Sequence, residues 1–202
     1  MDAAVCRALG GRVEFRFGDQ AVRITHADTD ALLAAVSDRL ASGTGFAVAT
    51  LNLDHLEKLG RLPAFRTAYA AHDMVVADGN PVVWLSQVAR QPVALAPGAD
   101  LVLPLARLAA KQGVPVALVG STEPALRAAG AALAAAAPGL AVTLSHAPPM
   151  GFNPEGPEGE DALGRVAASG ARLCLIALGA PRQEMLAARG RQTLPGVGFV
   201  SV

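Results

Sequence analysis

Charge imbalance is missing from this 202-residue chain, in which 17 Lys and Arg face 17 Asp and Glu. Without net charge there is no electrostatic case for DNA or RNA as the main partner, because phosphates call for a basic surface. Cysteine is nearly missing too. Cys6 and Cys174 cannot build a disulfide framework, and Cys174, inside an apolar run, reads as a small core residue. No stretch of about 18 apolar residues is free of charge or proline, which excludes a membrane-spanning helix. The start, MDAAVCRALGG, lacks the basic-then-apolar order of a secretion signal. A cytoplasmic protein is expected, with peripheral attachment to the inner face of the cell membrane left open. Metal and cofactor motifs are also lacking. His26, His55, His72 and His146 have no ligand-like spacing, and there is no C-x-x-C. The chain has no nucleophile elbow, no phosphate-binding P-loop and no G-x-G-x-x-G, which counts against ATPases and ordinary nicotinamide enzymes. No metal and no cofactor are expected. Asp28-Thr29-Asp30 has the D-x-D form that holds a metal on a nucleotide-sugar. It opens a surface helix, however, where acidic residues are favoured in any case.

What is present is apolar and periodic. Hydrophobic residues make up 52% of the chain and mean hydropathy is +0.37, much of it from alanine runs such as 128–137, which favour helix. Residues 12–17 and 21–25 alternate about a Gly18-Asp19-Gln20 turn, predicting an N-terminal β-hairpin over about 12–25. Strands are then expected at 46–50, 74–77, 114–119, 140–144, 173–178 and 197–202. Helices are expected at 28–40, 53–59, 63–71, 81–89, 99–111, 124–136, 160–169 and 181–191. Continuous rather than alternating apolar strands, separated by helices, predict an α/β fold: a Rossmann-like parallel sheet with helices on both faces. No repeat or linker divides the chain, so residues 1–202 read as one domain. Trp84, on an apolar helical face, reads as core. Helix 99–110 is apolar enough to sit between subunits of a homo-oligomer.

Four strand ends gather the polar residues: Thr50-Leu51-Asn52, Asp78-Gly79-Asn80, Gly120-Ser121-Thr122 and Gly179 to Glu184. In a parallel sheet these ends share one edge, where ligands collect. Asp78, just past a buried strand and followed by Gly79, is placed to act as a general base or to cap the next helix. Thr50 and Asn52 suit either a substrate hydroxyl or phosphate, or a cap. Gly120-Ser121-Thr122 suits either a phosphate cradle or an N-cap. The run LCLIALGAPRQE, 173–184, is the most informative. A buried strand stops at Gly179, Pro181 opens a helix, and Arg182 and Gln183 fall in its first turn. A cation there opposes the helix dipole, so an anion explains it better than packing does.

Seven segments in order carry a resemblance: ATLNLDHL (49–56), VVADGNPVVW (75–84), GADLVLPL (98–105), VALVGSTEPAL (116–126), APPMGF (147–152), LGAPRQE (178–184) and GVGF (196–199). Together they resemble the WecG/TagA/CpsF family of bacterial glycosyltransferases. The resemblance implies an inverting, metal-independent transfer of a sugar (N-acetylmannosamine, its uronate or a related hexose). The donor would be a UDP-sugar and the acceptor a polyprenyl-diphosphate-linked saccharide at the cytoplasmic membrane surface. It further implies Asp78 as base, Thr50 and Gln183 lining the catalytic pocket with Asn52 beside them, and Gly151 and Phe152 near the nucleotide. Leaving-group charge would fall on backbone N–H groups near Gly120 and Gly179, with Arg182 close by. Members of the family continue past the position of Val202 with a GA-x-x-DF-x-AG segment and a basic amphipathic appendage that engages nucleotide and membrane. A shortened chain is therefore expected here, with an inactive nucleotide-sugar-binding domain as the competing reading.

Overall fold

Seventeen elements make up the structure, a computed structural model that describes residues 5–9 and 12–202, with side chains from Val13 onward. The strands are β1 (Val5–Leu9), β2 (Arg12–Phe17), β3 (Gln20–Arg23), β4 (Phe46–Leu51), β5 (Met74–Ala77), β6 (Val116–Gly120), β7 (Val142–His146), β8 (Leu173–Ala177) and β9 (Gly198–Ser201). The helices are α1 (Thr29–Ser42), α2 (Leu53–Arg61), α3 (Pro63–Ala70), α4 (Asn80–Val88), α5 (Gly98–Gln112), α6 (Glu123–Ala136), α7 (Pro157–Ala168) and α8 (Arg182–Thr193). The segment read for a leader, 1–11, lies partly outside the described residues.

Six strands form one sheet in the order β5-β4-β9-β8-β6-β7, every neighbouring pair parallel. This is the Rossmann-like α/β architecture expected from the alternating pattern. The chain enters at β4, moves out to β5, crosses to β6 and the edge strand β7, and then returns to fill the centre with β8 and β9. Because side chains alternate along a strand, each strand feeds two cores. Phe46 and Val48 of β4, Leu173 and Leu175 of β8 and Val200 of β9 meet α1, α5 and α6. On the opposite face Ala49 and Leu51 join α2, α3 and the small antiparallel sheet, while Cys174, Ile176 and Phe199 join α7 and α8. Helix α8 comes close to the sheet because Gly190 has no side chain. A Cβ there would stand 2.5 Å from the Phe199 ring.

Several expectations change. The N-terminal hairpin (Phe17↔Gln20) gains a third strand, since β1 pairs with β2 in a segment where no strand was expected. Trp84 is 60% exposed rather than core, because α4 turns Val82 and Ser86 inward and Trp84, two residues from each, falls outside. Strand β7, on the sheet's edge, is not buried on both faces; its residues alternate between half-buried and exposed. Helix α7 begins at Pro157, three residues early, because proline suits the first helical turn. Asp28 caps α1, accepting from the Ala31 N–H at 2.8 Å, and α1 ends at Gly43. The D-x-D carboxylate is thus spent on a helix start. Cys174 is buried, and its surroundings push the thiol far above its usual range.

At the amino-terminal edge, Asp73 ties three elements together. Its Oδ1 accepts from Arg39 Nη1 of α1 (3.0 Å), and its Oδ2 from Arg191 Nε of α8 (2.9 Å) and the Ala47 N–H of β4 (2.9 Å). Burial alone would raise this carboxyl, but the two guanidiniums and the N–H outweigh it and hold it below the usual range. Such stabilisation is present above the unfolded pKa and is lost as pH falls through the folded one. Asp73→Ala is expected to cost about 2 kcal/mol at neutral pH, discounted for partial exposure. The cost should shrink on acidification, which urea unfolding at two pH values checks.

Candidate active site at the carboxyl edge of the sheet

The carboxyl ends of the parallel strands bring the expected polar residues onto one edge, in two groups. Thr50 and Asn52 at the end of β4, with Asp78 and Gly79 just past β5, form the first. The Asp78 N–H donates to the Leu51 carbonyl at 2.8 Å, extending the pairing of Leu51 with Ala77 by one residue. Gly79 has φ +116, a backbone state closed to other residues, and caps α4 without any side-chain bond. The Asp78 carboxylate is therefore not the cap of α4; it is half-buried and holds no side-chain hydrogen bond among the described residues. Asn52 does cap, its Oδ1 accepting from the His55 N–H at 3.0 Å. Thr50 is 2% exposed and faces α5. A Cβ on Gly98, the first residue of that helix, would lie 3.3 Å from Thr50 Oγ1 and 3.0 Å from Val202 Cα. Three helix N-termini, of α2, α4 and α5, converge around this group, with their partial positive charge at its mouth.

The second group sits on β6 and β8. Gly120 pairs with Ala177, and the Ser121 N–H donates to the Ala177 carbonyl at 2.9 Å. Thr122 caps α6. Gly179 (φ +71) and Leu178 direct their N–H groups at Gln183 Oε1, at 3.0 and 3.3 Å. These N–H groups, expected to receive leaving-group charge, are already satisfied within the chain. Gln183 is likewise 4% exposed and engaged at both ends rather than turned outward. Arg182 is exposed at the start of α8 and forms no ion pair among the described residues. Gly151 (φ +81) lies in the turn closed by the Phe152 N–H to the Pro149 carbonyl, whereas Phe152 is 4% exposed and packs in the core beneath α7 and α8. Asp78 and Gly120 end strands four steps apart, roughly 19 Å at the usual strand spacing, with β9 between the groups.

Beneath the edge runs a buried polar chain that joins Gln183 and Thr50 to three residues given no role by the sequence pattern, His55, Tyr69 and Glu184. Gln183 Nε2 donates to Glu184 Oε1 at 3.0 Å, and Glu184 Oε1 lies 3.9 Å from His55 Nε2. His55 Nδ1 lies 2.6 Å from the Tyr69 hydroxyl, which donates to the Thr50 carbonyl at 3.1 Å. His55, Tyr69 and Glu184 are 4%, 2% and 0% exposed. Burial pushes the Glu184 carboxyl up to about 7, against the lowering effect of Gln183, and it lowers His55 and raises Tyr69. A faint signal existed: His55 stands beside Leu56 and Leu59 on the apolar stripe of α2, where a histidine needs a buried partner.

Among the described residues, no cluster of three or more His, Cys, Asp or Glu could hold a metal, and no helix is long and apolar enough to cross a membrane. The carboxyl edge of an open parallel α/β sheet, here carrying a carboxylate and several helix N-termini, is where proteins of this architecture bind their ligands. The chain belongs to the Glycosyl transferase WecG/TagA/CpsF family, whose model matches residues 20–202. It is accordingly a glycosyltransferase of cell-surface polysaccharide synthesis. No curated protein matches the chain significantly.

Proposed function

We propose that the chain transfers a sugar (N-acetylmannosamine, its uronate or a related hexose) from a UDP-sugar to a polyprenyl-diphosphate-linked saccharide, by a single inversion and without a metal. The observation that carries this reading is the Asp78 carboxylate, half-buried at the end of β5, free of capping duty and close enough to act electrostatically on His55 and Tyr69 beneath β4. An acceptor hydroxyl attacks the anomeric carbon as its proton passes to Asp78 Oδ. The bond from that carbon to the diphosphate oxygen breaks, and UDP leaves with the bonding pair. One base suffices for this, and no covalent intermediate is needed.

Asn52 borders the same space with its amide nitrogen left over from capping α2, and Thr50 is buried against Gly98 at the start of α5. With the N–H groups of Ser121, Leu178 and Gly179 already bonded, diphosphate charge falls on the exposed Arg182 guanidinium and on the open first turns of the helices. Gln183 acts by shaping the 178–184 loop. The lipid-linked acceptor makes this a protein working at the cytoplasmic membrane surface.

Calorimetric titration with UDP and with adenosine diphosphate tests the donor half. UDP is expected to bind at least about tenfold tighter, and Arg182→Ala to weaken UDP by about 1–2 kcal/mol, as for one charge-assisted contact. Absence of UDP binding, or equal binding of both nucleotides, overturns the reading.

A further inference from the structure

The buried chain beneath the site has one arrangement of protons that keeps all of its hydrogen bonds. Tyr69 has one hydroxyl hydrogen, and it is donated to the Thr50 carbonyl. With that bond kept, the Tyr69 oxygen accepts from His55 Nδ1–H; the other tautomer, with Tyr69 donating to Nδ1, gives up the bond to Thr50. In a neutral imidazole, Nε2 then presents a lone pair toward Glu184 Oε1, 3.9 Å away. An ionised Glu184 would set a carboxylate against that lone pair. Its second oxygen, Oε2, is buried with no hydrogen-bond partner among the described residues, which costs more for a charged carboxylate than for a neutral carboxyl. A protonated Glu184 opposite a neutral His55 leaves no buried charge at all, the cheaper arrangement in an apolar interior.

We propose that Glu184 and His55 form a positioning latch that carries one proton below neutral pH, held on the Glu184 carboxyl. The latch fixes the 178–184 loop against α2 and so sets the two strand-end loops of the candidate site relative to each other. The connections are hydrogen bonds except between Glu184 and His55, which face each other at 3.9 Å. From Glu184 the chain passes through Gln183 to the N–H groups of Leu178 and Gly179, and through His55 and Tyr69 to the β4 end carrying Thr50. Lys58 supports the same seam from α2, donating to the Ala180 carbonyl at 3.1 Å.

The groups that face the pair come from every neighbouring element. Asp54 and Lys58 of α2 act on both members, Asp78 from β5 acts on His55 and Tyr69, and Tyr69 of α3 feels Glu184. Lys58 favours ionised Glu184, but it is already paired with Asp54, which acts in the opposite sense. Burial is the largest influence on Glu184 and keeps the carboxyl protonated toward neutrality.

The sign of the resulting pH dependence follows. An acid whose pKa is raised on folding contributes stability that is full below about 4.5 and is lost as pH rises to about 7. Glutamine in place of Glu184 mimics the protonated form. Glu184→Gln should therefore gain on the wild type by more than about tenfold in the unfolding constant between about pH 5 and about pH 8. In the wild-type protein, carbon NMR should show the Glu184 carboxyl titrating near neutrality. Nitrogen NMR should show His55 as the neutral Nδ1–H tautomer through the same range. Exchange of the Leu178 and Gly179 amides should stay slow in Glu184→Gln and quicken in Glu184→Leu, which removes the acceptor of Gln183 Nε2.

An imidazolium at His55 near neutrality, or a Glu184→Gln protein whose relative stability does not change with pH, overturns the proposal. So does a carboxyl that titrates in the ordinary glutamate range. All these readouts come from the free protein, so their outcome is separate from whether the chain transfers a sugar.

Discussion

Asp78→Asn is expected to lower sugar transfer by about a hundred- to ten-thousandfold, the range spanned by a general base, while UDP binding stays within about twofold. The substitution is nearly isosteric, and the structure gives it little else to disturb. The Asp78 backbone N–H keeps its bond to the Leu51 carbonyl, Gly79 still caps α4, and no side-chain partner among the described residues loses a bond. What disappears is the carboxylate that follows β5, which holds no side-chain hydrogen bond among the described residues. Transfer assayed with a labelled UDP-sugar and a polyprenyl-diphosphate-linked acceptor, beside calorimetric UDP binding, separates the two effects. Transfer near the wild-type rate would remove Asp78 from the role of base. Loss of UDP binding together with activity would make it a donor contact instead.

Gly120→Ala is expected to destabilise the protein by about 3 kcal/mol or more, which is roughly 6–12 °C in Tm for a chain of this size. Two costs coincide at this position. Its φ of +124 is nearly closed to any residue with a Cβ, and that Cβ would lie 2.3 Å from the Ala177 carbonyl oxygen. The clash is with backbone in a paired strand, so it cannot be relieved by rotating a side chain. Relief must come from spreading β6 from β8, which breaks the Ser121 N–H bond to the same carbonyl. Gly179 supplies the control. Its φ is +71, but nothing stands within 4 Å of the added carbon, so Gly179→Ala should cost only about 1–2 kcal/mol of left-handed strain. Thermal unfolding of both variants measures the difference, and equal losses would show that the close approach of β6 to β8 is unimportant.

The glycines illustrate what kind of information each level holds. That Gly120 and Gly179 end strands was legible from the chain, since each follows an apolar run and precedes a helix signal. That one touches a neighbouring carbonyl and the other touches nothing depends on β8 lying beside β6, a pairing between residues more than fifty positions apart. The same limit applies to the site. Asn52 read first as a cap and second as a ligand contact, and the structure makes it a cap. Asp78 read both ways too, and the structure leaves its carboxylate uncommitted. For Gln183 the motif pointed to the ligand, whereas folding turns the side chain back onto its own loop. Trp84 looked like core from its neighbours, but the face that α4 buries is chosen by the sheet beneath it.

The sequence by itself determined the alternation of strands and helices, the parallel sheet that alternation requires, and the set of polar strand ends that share one edge. Those follow from local periodicity and turn chemistry, which are properties of neighbouring residues. Only the tertiary structure decided the strand order, with β9 between β4 and β8, and only it decided which N–H groups remain open at the edge. It alone brought His55 to within 3.9 Å of Glu184, 129 positions along the chain. Hydrogen-bond satisfaction and burial are set by what folds against a residue, and no pattern of near neighbours carries that.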